Sequence, residues 1–238
     1  MRNGLVIIPA LNEARSITTV LNNTRRCVPA YDVLVVDDGS EDETAHLARQ
    51  AGALVVRHPF NLGYGTALQT GYLYALKHGY PLAVQMDADG QHNPADLAAL
   101  VGALESNRVD LVIGSRFHPD SHYRMSILKR VGSLWFGALV RLFTGLRVSD
   151  PTSGLQAISQ RVLRLYATEA FPTDYPDADM LVLLHRHGFK ICEVNVHMEE
   201  RPESPSMHSG LKTAYYVYKM TLAILMNMAR KPMDLEQQ

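Results

Sequence analysis

The chain has 238 residues, 23 Lys+Arg against 24 Asp+Glu, and a formal net charge of −1. Its 47% hydrophobic and 20% charged residues are those of an ordinary globular protein, which excludes a disordered chain, and its near-neutrality excludes a globally basic nucleic-acid binder. One large domain, or a domain with an appendage, is expected at this length, large enough to fold without a disulfide or metal staple.

Residues 5–8 form a four-residue apolar run, too short for a signal-peptide core, and read as a buried strand. Similar runs recur at 33–36, 54–56, 82–86 and 111–113, separated by helical spacing over 14–26, 44–51, 65–78 and 94–107. This alternation predicts an α/β fold, a parallel sheet covered by helices on both faces. Asn93 is the expected N-cap of the helix that Pro94 opens. Between 121 and 149 the character changes: Arg124, Lys129, Arg130, Arg141 and Arg147 occur with no acidic residue, and apolar residues recur at helical spacing until Gly145. Helices over 159–168 and 180–187, a strand over 191–196 and a C-terminal amphipathic helix over about 211–230 complete the chain. The longest apolar stretch, 220–229, is half of the about 20 residues that a membrane-spanning helix needs. Cys27 and Cys192 match no metal or redox spacing and suit a reducing cytoplasm.

Ligands of open parallel sheets bind at the carboxyl ends of the strands. Four polar clusters fall there: Pro9-Ala10-Leu11-Asn12-Glu13, Asp37-Asp38-Gly39-Ser40, Asp87-Ala88-Asp89-Gly90-Gln91-His92 and Gly114-Ser115-Arg116. Each alone fits a turn, but their convergence on one rim points to a site. Asp87 and Asp89, one residue apart, can both face a hard cation, Mg²⁺ or Mn²⁺, that shares its other positions with water and substrate phosphates; the alternative is a solvated Asp-X-Asp-Gly turn. Neither a dinucleotide-binding glycine fingerprint nor a Walker sequence is present, which argues against an oxidoreductase and a P-loop enzyme.

These clusters, with Asn61-Leu62-Gly63-Tyr64-Gly65 and Asp150-Pro151-Thr152-Ser153-Gly154-Leu155, occur in an order that resembles the family-two glycosyltransferases with the GT-A fold. The likeness covers about residues 4–201 and is nearest to the dolichyl- and polyprenyl-phosphate mannosyl- or glucosyltransferases. It implies an inverting, metal-dependent enzyme that moves a sugar from a nucleotide diphosphate sugar to an acceptor. It implies that Pro9, Ala10, Asn12, Glu13 and Ala88 border the nucleotide, and that Asp37 or Asp38 reads the base or ribose. Asp87, Asp89 and Gln91 then match the metal-binding turn, and Arg116 and Arg201 match phosphate-side arginines; for Arg201 a surface ion pair with Glu199 or Glu200 is the alternative. A catalytic domain over 1–208 and a helix with tail over 209–238 follow from the same comparison.

The acceptor is where the resemblance leaves alternatives. Asp179 stands where other family-two enzymes carry an acceptor-side carboxylate, although a phosphate acceptor, already ionised at neutral pH, has little need of a base. Asp177 and Asp179 could equally cap the helix that follows. Similar lipid-phosphate enzymes place a lysine after the late arginine where this chain has Met207, in Pro202-Glu203-Ser204-Pro205-Ser206-Met207-His208; Ser206 and His208 remain as polar lid contacts. The basic segment, with Trp135, Phe136 and Phe143, and the C-terminal helix suit a peripheral contact at the inner membrane face, a membrane-protein partner or a homodimer. The expectation is transfer to a polyprenyl phosphate, against transfer to a hydroxyl acceptor or a non-catalytic nucleotide-sugar-binding subunit.

Overall fold

The computed structural model describes residues 3–117, 127–199 and 211–229. Seven strands, β1 (Leu5–Ala10), β2 (Asp32–Asp37), β3 (Leu54–Arg57), β4 (Leu82–Gln85), β5 (Leu111–Ser115), β6 (Gln156–Ser159) and β7 (Ile191–Asn195), form one sheet in the order β3-β2-β1-β4-β6-β5-β7. All neighbours run parallel except β6, which is antiparallel to both β4 and β5. The helices are α1 (Ile17–Cys27), α2 (Thr44–Gln50), α3 (Tyr64–Lys77), α4 (Leu97–Ser106), α5 (Ile127–Thr144), α6 (Gln160–Tyr166), α7 (Ala178–Arg186) and α8 (Leu211–Ala229).

Both faces of the sheet are covered, so the strands are apolar at successive positions rather than alternately. In β1, Leu5 and Ile7 join one core with Tyr72, Phe136, Met180 and Ile224, while Val6 and Ile8 join the other with Leu21, Leu100 and Val196. β1 continues through Pro9 and Ala10, beyond the expected end at residue 8. The ladder with β4 stops at Ile7↔Gln85, whereas that with β2 runs on to Ala10↔Asp37. Pro9 therefore sits where β1 has no ladder partner on its β4 side, and its missing N–H is tolerated. The parting of β1 and β4 beyond that point opens the crevice.

Three expectations are corrected. The helix expected from residue 94 begins as a 3₁₀ turn, Pro94–Asp96, before α4, with the Asn93 side chain accepting from the Ala95 amide at 3.0 Å as an N-cap should. α1 starts at Ile17, because the Glu13 carbonyl accepts from the Ser16 and Ile17 amides in a turn that precedes the helix. Strand β6 was not expected at all: its four residues, Gln-Ala-Ile-Ser, are too few to show a period, and only its flanking strands make it a strand.

α8 lays Met220 and Ile224 into the core beside α7. Its other side leaves Tyr215, Tyr218, Leu222, Leu225 and Met226 exposed, and α5 likewise exposes Val131, Leu134, Trp135 and Leu142. The two surfaces adjoin, since Trp135 Nε1 donates to Thr221 Oγ1 at 3.4 Å. Among the described residues no helix is long and apolar enough to cross a membrane.

Candidate active site

The loops after β1 and β2 are tied together. The Asn12 amide donates to Ser40 Oγ at 2.9 Å, the Glu41 amide to Asn12 Oδ1 at 2.9 Å, and the Glu13 amide to Thr44 Oγ1 at 2.8 Å. Asn12 takes a positive φ of 56°, a conformation that asparagine tolerates better than most residues. Pro9 and Ala10 are buried at the strand end. Asp37 Oδ1 accepts from the Ser40 amide at 3.1 Å, and its buried Oδ2 faces Arg57 Nε at 3.0 Å. Asp38 serves the fold: Oδ1 bonds His58 Nδ1 at 2.7 Å and the Leu62 amide at 2.9 Å, and Oδ2 accepts from the Gly63 amide at 2.9 Å. Those bonds hold the glycine-rich turn that opens α3, while Asp37, fully buried, is engaged by the Ser40 amide and Arg57.

From that turn Tyr64 donates its hydroxyl to Asp87 Oδ1 at 2.8 Å, and His92 Nε2 bonds Asp87 Oδ2 at 3.0 Å. Burial alone would raise the Asp87 carboxyl, but the His92 and Tyr64 bonds and the Arg116 charge bring it below its ordinary value. Asp89 is raised, first by burial and then by the Asp87 charge, with Glu13 adding to it. A Cβ at Gly154 would lie 2.8 Å from Asp87 Oδ2, so only glycine lets this loop approach the carboxylate. Ala88 is buried between the two aspartates. Gln91 takes part through its main chain, its amide donating to Asp89 Oδ1 at 2.9 Å and its carbonyl accepting from the Glu199 amide at 2.8 Å.

The donor set fits Mg²⁺ or Mn²⁺. It offers two hard carboxylates at mutual repulsion that a cation would relieve, with Asp87 already oriented by outer partners. Among the described residues no group of three or more His, Cys, Asp or Glu forms a metal cage, so waters and ligand phosphates would complete the shell.

Arg116, at the end of β5, is engaged by Asp150: Nε to Oδ2 and Nη2 to Oδ1, both at 2.6 Å, with the Arg116 amide adding a bond to Oδ2 at 3.1 Å. Nη2 also donates to Thr152 Oγ1 at 3.0 Å. Asp150 is fully buried and takes the place along the guanidinium fork that a phosphate would occupy.

At the start of α7 two carboxylates diverge. Asp179 is 3% exposed; its Oδ1 accepts from the Asp177 amide at 3.2 Å, and it lines a cavity of about 170 Å³ with Tyr216, Lys219 and Met220 of α8. Burial, then the Asp177 charge, pushes it up to about 7. Asp177 occupies the N-cap position without making a side-chain cap bond; it is half-buried and accepts from the Tyr216 hydroxyl through Oδ2. Desolvation raises it to about 6, against the opposing pull of Tyr216 and Arg116. Of the capping alternative, Asp179 fulfils a part, by satisfying the amide of the N-cap residue.

The structure thus gathers Glu13, Asp87, Asp89, Arg116 and Asp177 around one crevice. Arg201 and the segment Pro202 to His208 lie outside the described residues, as do Arg124 and the Lys129 side chain. Sequence reasoning assigned no role to Tyr64, His92, Asp150 or Tyr216, although the first three stand within motifs it had singled out.

Residues 5–166 match the family described as Glycosyl transferase family 2. The chain is 36% identical over 214 residues to an undecaprenyl-phosphate mannosyltransferase of Micrococcus luteus, covering 87% of each chain. It is 30% identical over 211 residues to a UDP-N-acetylglucosamine–dolichyl-phosphate N-acetylglucosaminyltransferase of Methanococcus voltae, covering 80% of this chain and 83% of the other. Among solved structures, glucosyl-3-phosphoglycerate synthase of Mycobacterium tuberculosis with UDP superposes with a TM-score of 0.70 at 25% identity, covering 97% of this chain and 81% of that one. Another crystal structure of that synthase contains Mn²⁺, UDP and glucosyl-3-phosphoglycerate. The crevice therefore belongs to a glycosyltransferase on a GT-A fold, and the chain is a member of glycosyl transferase family 2.

Proposed function

We propose that the protein is an inverting, divalent-metal-dependent transferase that moves a hexose from a nucleotide diphosphate sugar to a polyprenyl phosphate at a membrane surface. The observation that carries the reading is the Asp87/Asp89 pair at the end of β4, with Tyr64 and His92 already aiming Asp87. Asp87 and Asp89 would hold Mg²⁺ or Mn²⁺, which when bound neutralises the charge that develops on the leaving diphosphate. Pro9, Ala10, Asn12, Glu13 and Asp37 border the nucleotide half of the crevice, and Arg116, fixed by Asp150, adds positive charge beyond the aspartates. The names of both curated relatives specify a polyprenyl- or dolichyl-phosphate acceptor, which supports that acceptor class. The exposed apolar surface of α5 and α8, flanked by Arg130, Arg141 and Lys219, suits the interface of an anionic bilayer.

A second reading, transfer to a hydroxyl, is favoured by the half-buried Asp177, since a hydroxyl acceptor needs a base. Incubation with Mn²⁺, radiolabelled nucleotide sugars and undecaprenyl phosphate in detergent micelles decides between the two. Label extracted into organic solvent, lost in Asp89→Ala, is the expected result. No extractable product with any donor would sink the lipid-phosphate reading.

A further inference from the structure

We infer that the cavity between α8 and the start of α7 is an apolar subsite for the first isoprene units of a polyprenyl phosphate, those next to its phosphate. The cavity measures about 170 Å³ and its lining is mostly apolar. Pockets that hold a whole small molecule run to about 300–1,000 Å³, so this one suits a fragment of a longer molecule. Burial sets its two ends. Asp179 and Met220, each 3% exposed, form the floor, whereas the side chains of Asp174 and Lys219, 44% and 40% exposed, mark the mouth. Asp174 and Lys219 form an ion pair there, and an exposed pair of this kind is parted at little cost. The walls are the rings of Tyr175 and Tyr216, edge-on at 5.2 Å, and Ala223, whose short side chain leaves the space open.

The neighbours of the cavity decide what its occupant belongs to. On one side, the wall segment 172–175 is fastened to the glycine-rich turn. The Gly65 amide donates to the Asp174 carbonyl and the Thr66 amide to the Thr173 carbonyl, both at 3.1 Å, and Tyr64 of the same turn reaches Asp87 at 2.8 Å. On the other side lies the apolar surface of α8. Tyr216, Lys219, Met220 and Ala223 line the cavity at the i, i+3, i+4, i+7 spacing of one helical stripe. Tyr215, Tyr218 and Leu222 form the exposed stripe beside it, with Lys219 on the border between the two. A molecule that extends from the aspartate pair to the exposed stripe passes this cavity, and it must be polar at the first end and hydrocarbon at the second. A polyprenyl phosphate has that form. Asp179 is compatible with such an occupant: burial, then the Asp177 charge, raises its carboxyl to about 7, so it can take the proton that a hydrocarbon neighbour favours.

The inference rests on the polyprenyl-phosphate reading and deepens it, by dividing the acceptor between a head-group site in the crevice and a chain site behind segment 172–175. Burying hydrocarbon favours binding about fourfold for each methylene. A cavity of this size therefore rewards the first units of the chain and then no more.

The test measures transfer with Mn²⁺ to the water-soluble dimethylallyl, geranyl and farnesyl phosphates. KM is expected to fall tenfold or more from dimethylallyl to geranyl phosphate and to change less than threefold from geranyl to farnesyl. Ala223→Phe and the milder Ala223→Met fill the cavity and should abolish the gain, with far-ultraviolet circular dichroism and nucleotide binding as wild type. Photolabelling gives a readout free of turnover. A geranyl phosphate carrying a diazirine on its second isoprene unit should label Tyr175, Met220 or Ala223, and not in Ala223→Phe. Labelling confined to Leu222, Leu225 or Trp135, or a chain-length gain that survives both substitutions, would overturn the inference and leave the transfer reading in place. If geranyl phosphate labels the cavity but neither it nor undecaprenyl phosphate accepts sugar from any donor, the transfer reading falls and the chain site stands. Phosphatidylglycerol vesicles with the diazirine in an acyl chain form the last arm: cavity labelling that geranyl phosphate does not displace would assign the site to a bulk lipid and overturn its assignment to the acceptor.

Discussion

Tyr64 donates to Asp87 Oδ1 at 2.8 Å, joining the glycine-rich turn that opens α3 to the carboxylate pair that follows β4. A Cβ at Gly65 would run into the Pro172 carbonyl oxygen, so the turn is pressed against the segment that leads into α7. The hydroxyl is thus held by packing and costs little to order. Outer partners of this kind typically contribute about 10–100-fold in metal affinity. Tyr64→Phe is expected to weaken Mn²⁺ binding about tenfold, measured by electron paramagnetic resonance, without changing the far-ultraviolet circular dichroism.

Asp38 holds the same turn from the other side. Asp38→Ala strands the Leu62 amide, leaves the Gly63 amide only its bond to Asn61 Oδ1, and leaves His58 only its bond to Thr70. The expected loss is about 2–3 kcal/mol of stability. Hydrogen exchange at residues 62–65 should quicken more than in the sheet, and Mn²⁺ affinity should fall with it, because Tyr64 loses its anchorage.

The Arg116–Asp150 pair is buried on the carboxylate side and bidentate. Removing one partner of such a pair leaves an uncompensated charge, at a cost of about 3–5 kcal/mol. Asp150→Ala is expected to lower Tm by about 6–20 °C. A calorimetric shift of a degree or less would show that the pair is not buried in the sense described.

Asp179 gives a pH dependence whose sign follows from its carboxyl being raised to about 7 in the folded chain. The native state keeps a proton that the unfolded chain has released, so this group's contribution to stability is lost as pH rises from about 4 to about 7. Asp179→Asn retains the oxygen that accepts from the Asp177 amide but cannot ionise. It should match wild type near pH 4 and exceed it at pH 8 by on the order of 2 kcal/mol, in urea unfolding at each pH.

The parallel half of the sheet and the aspartate turn were legible because each rests on local signals: apolar runs, glycines, and carboxylates one residue apart. What was not legible depends on contacts distant in the chain. Four residues of β6 become a strand only between β4 and β5. Asp179 is the expected acceptor-side carboxylate and shares only the helix-capping alternative with Asp177; α8, packed across α7, gives Asp179 a cavity to line and Asp177 the Tyr216 hydroxyl as a partner. Tyr216 read as one more apolar residue of an amphipathic helix, because its partner lies 39 positions away. Asp38 and Asp37 are adjacent and alike in sequence; the His58 and Gly63 bonds set them apart.

The reversed strand β6 has a consequence for how this scaffold changes over time. Ile113 of β5 and Gln156 of β6 are ladder partners, and β5 runs on along β7 to Ser115, so the chain between Ser115 and Gln156 leaves the sheet and returns beside the strand it left. That excursion carries Arg116, α5, Asp150 and Gly154, whereas the nucleotide half is held in register by β1, β2 and β4. Doubling the length of a closed loop costs only about 0.6 kcal/mol. The connections on either side of α5 can therefore be lengthened with little penalty, provided Phe136 and Val140 stay in the core and the Arg116–Asp150 clasp at their base survives. A chimaera of two relatives is therefore best cut at that clasp, where the excursion leaves and rejoins the sheet.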